Sequence, residues 1–144
     1  MQPDDTDWKI IDILRNEYMP NNAIARKLGV SEGMIRHRIQ RLKDAGIMII
    51  KALINPDVLE NQQLAVLAVN VVESRMLAAK AHEISELPGV LSVSIVSGRY
   101  DLIAELLLDS SHGLVNFLTE TLSRVDGISK TESFLLLKNC NKFV

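Results

Sequence analysis

Residues 23–46 read AIARKLGVSEGMIRHRIQRLKDAG, and the second half concentrates hydrogen-bonding chemistry. Arg36, Arg38 and Arg41 carry guanidinium forks, Gln40 an amide and His37 an imidazole. Arginine can donate paired hydrogen bonds to guanine or phosphate, and glutamine can pair with an adenine edge. Ser31 and the free N–H groups of a helix start can hold a phosphate oxygen. Gly33 leaves the first turn without a side chain, so a surface can approach it closely. Ser31, Gly33, Arg36, His37, Arg38, Gln40 and Arg41 are therefore the candidate DNA contacts. The alternative for the same residues is a plain helical hairpin with solvated charges. His37 has no second ligand type beside it in sequence, so no metal site is expected.

The charge distribution agrees with the first reading. The chain of 144 residues has a net charge of −2, which does not advertise a nucleic-acid partner. Residues 21–51, however, hold seven basic side chains against Glu32 and Asp44, a balance of +5, while residues 64–144 come to −2. A basic module joined to a neutral or acidic one follows. The composition, 47% hydrophobic and 24% charged, is that of a globular protein. The opening MQPDDTDWK does not read as a secretory signal, and no apolar run is long enough to span a bilayer. The single cysteine, Cys140, excludes an intramolecular disulfide and fits a reducing compartment. A cytoplasmic location without membrane association is expected.

Three helices must position those side chains. From Asp7 to about Tyr18, Ile10, Ile11, Ile13 and Leu14 recur at helical spacing. Asp4, Asp5 and Asp7 lie at the start, where the helix dipole favours negative charge. Pro20 ends the pattern, and Asn21 or Asn22 is the expected cap of a second helix running to Leu28. Gly29 can take the left-handed turn conformation. Ser31 then caps a third helix ending before Gly46. On it Ile35, Ile39 and Leu42 form one apolar stripe, and Gly33, Arg36, His37, Gln40 and Arg41 fall opposite. Ala25, Gly29, Ser31 and Ile35 together fit a helix-turn-helix: a small residue at the crossing, a turn and a cap.

Beyond Gly46 the periods change. IMIIKALI, residues 47–54, reads as a strand ended by Asn55-Pro56-Asp57. Strands are then expected at 64–72, 90–96, 101–108 and 128–138. One helix is capped by Ser74, with Leu77, Ala81, Ile84 and Leu87 inward. Another is capped by Ser110 or Ser111, with Leu114, Phe117, Leu118, Leu122 and Val125 inward. The order βαββαβ is the ferredoxin-like plan. Leu87-Pro88-Gly89-Val90 and Val125-Asp126-Gly127-Ile128 echo each other within it. Apolar residues occupy both faces of the 101–108 and 128–138 strands, so a second copy is expected to cover the helix-free face and form an obligate homodimer. The fold class is α+β: a helix-turn-helix domain (winged-helix-like) over 1–50, a hinge strand and linker over 51–63, and a ferredoxin-like domain over 64–144.

The combination of ARKLGVSEGMIRHRIQRLKDAGI, LINPDVL, LPGVLSVSIVSGRYDLIAELLLD and VDGISKTESFLLLK resembles the Lrp/AsnC (feast/famine) family of transcription regulators over nearly the whole chain. The resemblance implies a sequence-specific regulator that binds double-stranded DNA as a dimer, assembled further into tetramers or octamers. It also implies a free amino acid as effector, bound between C-terminal domains near Gly98, Arg99, Tyr100 and Asp101, with Thr131 and Ser133 on the last strand nearby. Asp101 or neighbouring carbonyls would take the ammonium; the amides beside Gly98 and the Thr131 hydroxyl would take the carboxylate. Glu60-Asn61-Gln62 stands where the family usually places a glycine. No catalytic residue or cofactor is implied. Two rivals follow from the same plan: a siroheme decarboxylase-like enzyme, and an effector-binding assembly protein with a vestigial DNA-binding domain. The enzyme would need histidines lining a tetrapyrrole pocket, whereas His37, His82 and His112 are the only ones and none lies near Ser97–Asp101.

Overall fold

The computed structural model describes all residues from Met1 to Val144 and divides into two compact units, Met1–Ala52 and Leu53–Val144. No helix is long and apolar enough to cross a membrane.

The first unit holds α1 (Asp5–Asn16), α2 (Asn21–Leu28) and α3 (Glu32–Asp44). Asp4 caps α1 in a reciprocal box: the Asp7 N–H donates to Asp4 Oδ1 at 2.9 Å and the Asp4 N–H to Asp7 Oδ2 at 3.1 Å. The expected asparagine cap of α2 is not formed. Asn21 and Asn22 already lie inside the helix, and the Pro20 carbonyl accepts from Ala23 and Ile24. Gly29, at φ +68°, closes α2, and the Val30 N–H donates to the Ala25 carbonyl at 3.0 Å. That bond reverses the chain sharply enough to bring α3 against α2. Ser31 caps α3 through its Oγ, which accepts from the Met34 N–H at 3.2 Å. Ile10, Ile24, Ala25, Ile35 and Ile39 form one buried cluster, and Leu42 is also fully buried.

The expected strand over 47–54 is not regular. Residues 48–55 form neither helix nor strand, and of 48–54 only Ile54 finds a backbone partner, exchanging two hydrogen bonds with Val144 at 2.8 and 3.0 Å. The run has the composition of a strand but no facing strand along its length. Ile49 is accordingly 73% exposed.

The second unit is a four-stranded sheet with its helices on one side. β1 (Gln62–Val71), β2 (Val90–Ile95), β3 (Leu102–Asp109) and β4 (Ile128–Leu135) take the order β2-β3-β1-β4, every neighbour antiparallel. This is the ferredoxin-like arrangement. α4 (Leu77–Ser85) follows β1. A short α5 (Gly113–Asn116) follows β3 and continues through a wide turn, Phe117–Thr121, and a tight one, Leu122–Arg124. Neither expected serine cap forms. Ser74 begins a 3-10 turn ahead of α4, and ahead of α5 it is Asp109 that accepts from the Ser111 N–H, the Ser111 hydroxyl and the His112 N–H. Asn61 adopts φ +60° just before β1. Asparagine tolerates this left-handed conformation better than most side chains, so it can serve where the resemblance leads one to expect a glycine.

The core lies between sheet and helices: Ala65, Leu67 and Val69 of β1, Leu102, Ala104 and Leu106 of β3, Ile84 of α4, then Phe117, Leu122 and Val125. Antiparallel partners point the same way, so the register fixes both faces. Thr131, Ser133 and Leu135 pair with Val69, Leu67 and Ala65 and share the helix side. Lys130, Glu132 and Phe134 pair with Asn70, Ala68 and Val66 and share the helix-free side with Ile103, Glu105 and Leu107. The C-terminal segment returns to this unit through Asn139, which donates to Asp57 at 2.8 Å, and Lys142, 2.9 Å from Glu105.

Candidate nucleic-acid interface and effector site

α3 buries Ile35, Ile39 and Leu42 and leaves the rest of its circumference polar. Ser31, Gly33, Arg36, His37, Gln40 and Arg41 are exposed; Arg38 is not, at 16%. Carboxylates of the same unit engage most of these side chains. Arg36 meets Glu32 at 2.7 Å and Gln40 donates to Asp44 at 2.7 Å, both on the surface one helical turn away. Exposed pairs of this kind are worth about 0.2–1 kcal/mol, so a phosphate or base edge can displace them.

Arg38 and Arg41 are held differently. Asp7 is fully buried and accepts from Arg38 Nη1 and Arg41 Nη2, each at 2.8 Å. Arg38 Nη1 also reaches Asp4 Oδ2 at 2.7 Å. Burial would raise the Asp7 pKa. The Arg38 hydrogen bond, the Asp4 N–H and the Arg41 charge outweigh it and leave the carboxyl below the usual aspartate range. Asp4 is lowered chiefly by its hydrogen bond from Arg38. Together, α1 and α3 are tied by charge as well as by the Ile10–Ile35 cluster.

In the second unit the loop between β2 and β3 ends at Asp101, which staples the end of the sheet. The Asp101 N–H donates to the Val69 carbonyl and to Asn70 Oδ1, both at 3.0 Å, and Asp101 Oδ2 accepts from the Val71 N–H at 2.9 Å. Gly98 lies at φ +123°, open to a glycine and strained for other residues. The Tyr100 hydroxyl donates to Glu132 Oε2, and Lys130 Nζ is 5.8 Å from the ring centroid. Since β1 lies between β3 and β4, that side chain reaches across β1 on the helix-free face. Its pKa is raised, first by the hydrogen bond to Glu132, then by burial and the Glu132 charge, with Arg99 opposing. No group of three or more His, Cys, Asp or Glu side chains is arranged to hold a metal ion.

Against known proteins, residues 3–47 match the winged helix-turn-helix DNA-binding family and residues 64–142 the Lrp/AsnC ligand binding domain. The second match spans more than half of the chain. This chain belongs to the Lrp/AsnC family. An uncharacterized HTH-type transcriptional regulator of Pyrococcus furiosus is 33% identical over 135 residues, 92% of this chain and 90% of the relative. The HTH-type transcriptional regulator FL11 of the same organism is 29% identical over 137 residues, covering 94% and 89%. A Neisseria meningitidis transcriptional regulator, solved as a complex with L-Met, shares the fold at a TM-score of 0.70 and 23% identity, covering 98% of this chain and 94% of its own.

This Lrp/AsnC protein is a DNA-binding transcriptional regulator, and its relatives are named as regulators rather than as tetrapyrrole enzymes. Within it the residues singled out from the sequence are not all brought together. Gly33, Arg36, His37, Gln40 and Arg41 share the solvent side of α3, and Ser31 is exposed at its N-terminus. Arg38 turns toward Asp4 and Asp7. Gly98, Arg99, Tyr100 and Asp101 form one loop, but Tyr100 points to the helix-free face while Thr131 and Ser133 lie on the helix side of β4. Sequence reasoning missed the pairing of Asp7 with Arg38 and Arg41. Two signals were available: the Asp4-x-x-Asp7 spacing of a capping box, and two arginines three apart on one helix flank.

Proposed function

We propose that this regulator reads its operators with the exposed side of α3, acts as a dimer or a multiple of dimers, and responds to a free amino acid at a site completed by two copies of the chain. Arg36 and Gln40 are the base-reading side chains. Ser31 with the α3 N-terminus, His37 and Arg41 take phosphate, and Arg38 braces α3 from behind against Asp4 and Asp7. The observation that carries this reading is the division of α3 into an apolar side packed in the core and a polar side containing five of the predicted contacts, Gly33, Arg36, His37, Gln40 and Arg41. A Cβ placed on Gly33 would meet nothing within 4 Å in the chain. Packing within the chain therefore does not require a glycine there, and its bare backbone leaves room for an approaching surface.

The dimer is supported by the helix-free sheet face. Val66, Ile103, Leu107 and Phe134 lie there, and Phe134 is 49% exposed. A second sheet would remove that apolar surface from water. The effector is supported by the Lrp/AsnC ligand binding domain and by the structurally similar Neisseria regulator found with L-Met. Because Tyr100 and Thr131 lie on opposite faces, one chain does not gather both around one ligand. A pocket using the 98–101 loop of one copy and Thr131 and Ser133 of another resolves that.

Selection of duplexes from a random-sequence pool tests the reading. Enriched duplexes should bind with a steep loss of affinity as salt rises, about 0.9 log units per log unit of salt for each phosphate contacted. At least one amino acid should change that affinity. An unenriched pool would contradict the DNA assignment; enrichment with no response to any amino acid would contradict only the effector.

A further inference from the structure

Asp7 is a buried carboxylate held by two arginines of α3. Its Oδ1 takes Arg38 Nη1, and its Oδ2 takes Arg41 Nη2 and the Asp4 N–H. Asp4 grips Arg38 from the other side through both carboxylate oxygens, at 2.7 and 2.9 Å. Two acids and two bases cancel, yet the bases differ in access. Arg38 is largely enclosed, whereas Arg41 is 43% exposed at its side chain. A guanidinium has five N–H donors in a rigid fork, and Arg41 commits Nη2 to Asp7, which leaves donors on its outer edge.

We propose that Asp7 is a positioning residue for DNA binding: acting through Arg41, it holds the guanidinium so that the outer donors meet a phosphate flanking α3, while Arg38 is a strut between α1 and α3. This rests on the reading of α3 as the DNA-facing element. A side chain already fixed in its bound geometry loses less freedom on binding than a free one, so the contact is stronger for the same charge. Lysine at position 41 would keep the charge but replace the fork with a single ammonium, unable to address Asp7 and a phosphate from two edges.

The sign of one substitution separates positioning from bare electrostatics. Asp7 is negative and DNA is a polyanion. If Asp7 only stabilised the fold, Asp7→Asn would remove a repulsive charge and tighten binding in the folded protein. Positioning predicts the opposite. The experiment measures fluorescence anisotropy of a duplex selected by the unmodified full chain, and of a scrambled duplex of equal length, across a salt series. Circular dichroism confirms folding of each variant. Asp7→Asn is expected to weaken binding about tenfold and to lower the salt slope by about one. Arg41→Ala is expected to cost about as much alone and to add little in the Asp7→Asn background. Where Asp7→Asn does not fold, Arg41→Lys at its exposed position carries the test, with a loss of several-fold at unchanged charge expected. Tighter binding by Asp7→Asn, equal cost of Arg41→Ala in both backgrounds, or Arg41→Lys matching the unmodified chain overturns the proposal. If the unmodified chain binds no duplex, the reading of α3 and this proposal fail together; if it binds, those outcomes overturn the proposal alone.

Discussion

Gly33, Arg36, His37, Gln40 and Arg41 share one exposed side of a single helix, with Ser31 exposed at its start, whereas Tyr100 and Thr131, expected around one ligand, point to opposite faces of a single sheet. The difference comes from how each element sets direction. A helix fixes side-chain direction by counting residues, at about 100° per residue. A sheet fixes it by register, and the register of β1 against β4 depends on chain far away in sequence. On the proposed reading, the exposed members of the DNA-facing set lie together on one copy, while the effector set draws on two.

The largest break in that comparison would come at the charged tie inside the first unit. Asp7→Ala removes the buried acceptor of Arg38 and Arg41 and one half of the α1 capping box, and the first unit should lose about 2–4 kcal/mol, measured by chemical denaturation. The matching cut in the second unit, Asp101→Ala, removes one acceptor from the Val71 N–H near the surface and should cost about 1 kcal/mol. Equal losses would mean that Asp7 is no more embedded than a loop staple.

The two-copy requirement is tested next. Phe134→Asp places a charge on the helix-free face and should weaken self-association at least tenfold by sedimentation, taking the amino-acid response with it. A response that survives in a monomer would show that one chain suffices. Acid should separate the units more gently. Asp4 and Asp7 are held below the usual carboxylate range, so the folded state takes up protons less readily than the unfolded chain. Their contribution is full at neutral pH, declines below about pH 4 and is gone once the lowered pKa values are passed. The first unit should therefore lose this part of its stability on acidification, and Asp7→Asn should flatten that dependence. The smallest effect is expected at Tyr100, whose phenol titrates above the ordinary tyrosine range because it donates to Glu132. Glu132→Gln should bring the phenolate absorbance transition back down, and with it the alkaline loss of that hydrogen bond, while duplex binding without amino acid stays unchanged.

What the sequence disclosed follows the same division. The Ile35, Ile39 and Leu42 stripe, the Ser31 cap and the Gly29 turn were legible because each is decided within a few residues. So was the βαββαβ order, since turns and periods alternate cleanly along residues 62–135. Local capping failed where a stronger neighbour competed: the Pro20 carbonyl and the Asp109 carboxylate took the places assigned to Asn21 or Asn22 and to Ser110 or Ser111. The strand at 47–54 was read from β-branched composition, which measures fitness for a sheet and not the presence of a partner. The burial of Arg38 was hidden because its partners, Asp4 and Asp7, are more than 30 residues away.

The most direct test of the central claim, that the exposed side of α3 reads DNA, is the discrimination ratio of the Arg36→Ala, Gln40→Ala double variant. Its affinity for a duplex selected by the unmodified chain is divided by its affinity for a scrambled duplex at one fixed salt concentration. Loss of about 1–3 kcal/mol of discrimination per good base contact is predicted, with much of the binding to scrambled DNA retained. An unchanged ratio, with both duplexes weakened equally or not at all, would contradict it.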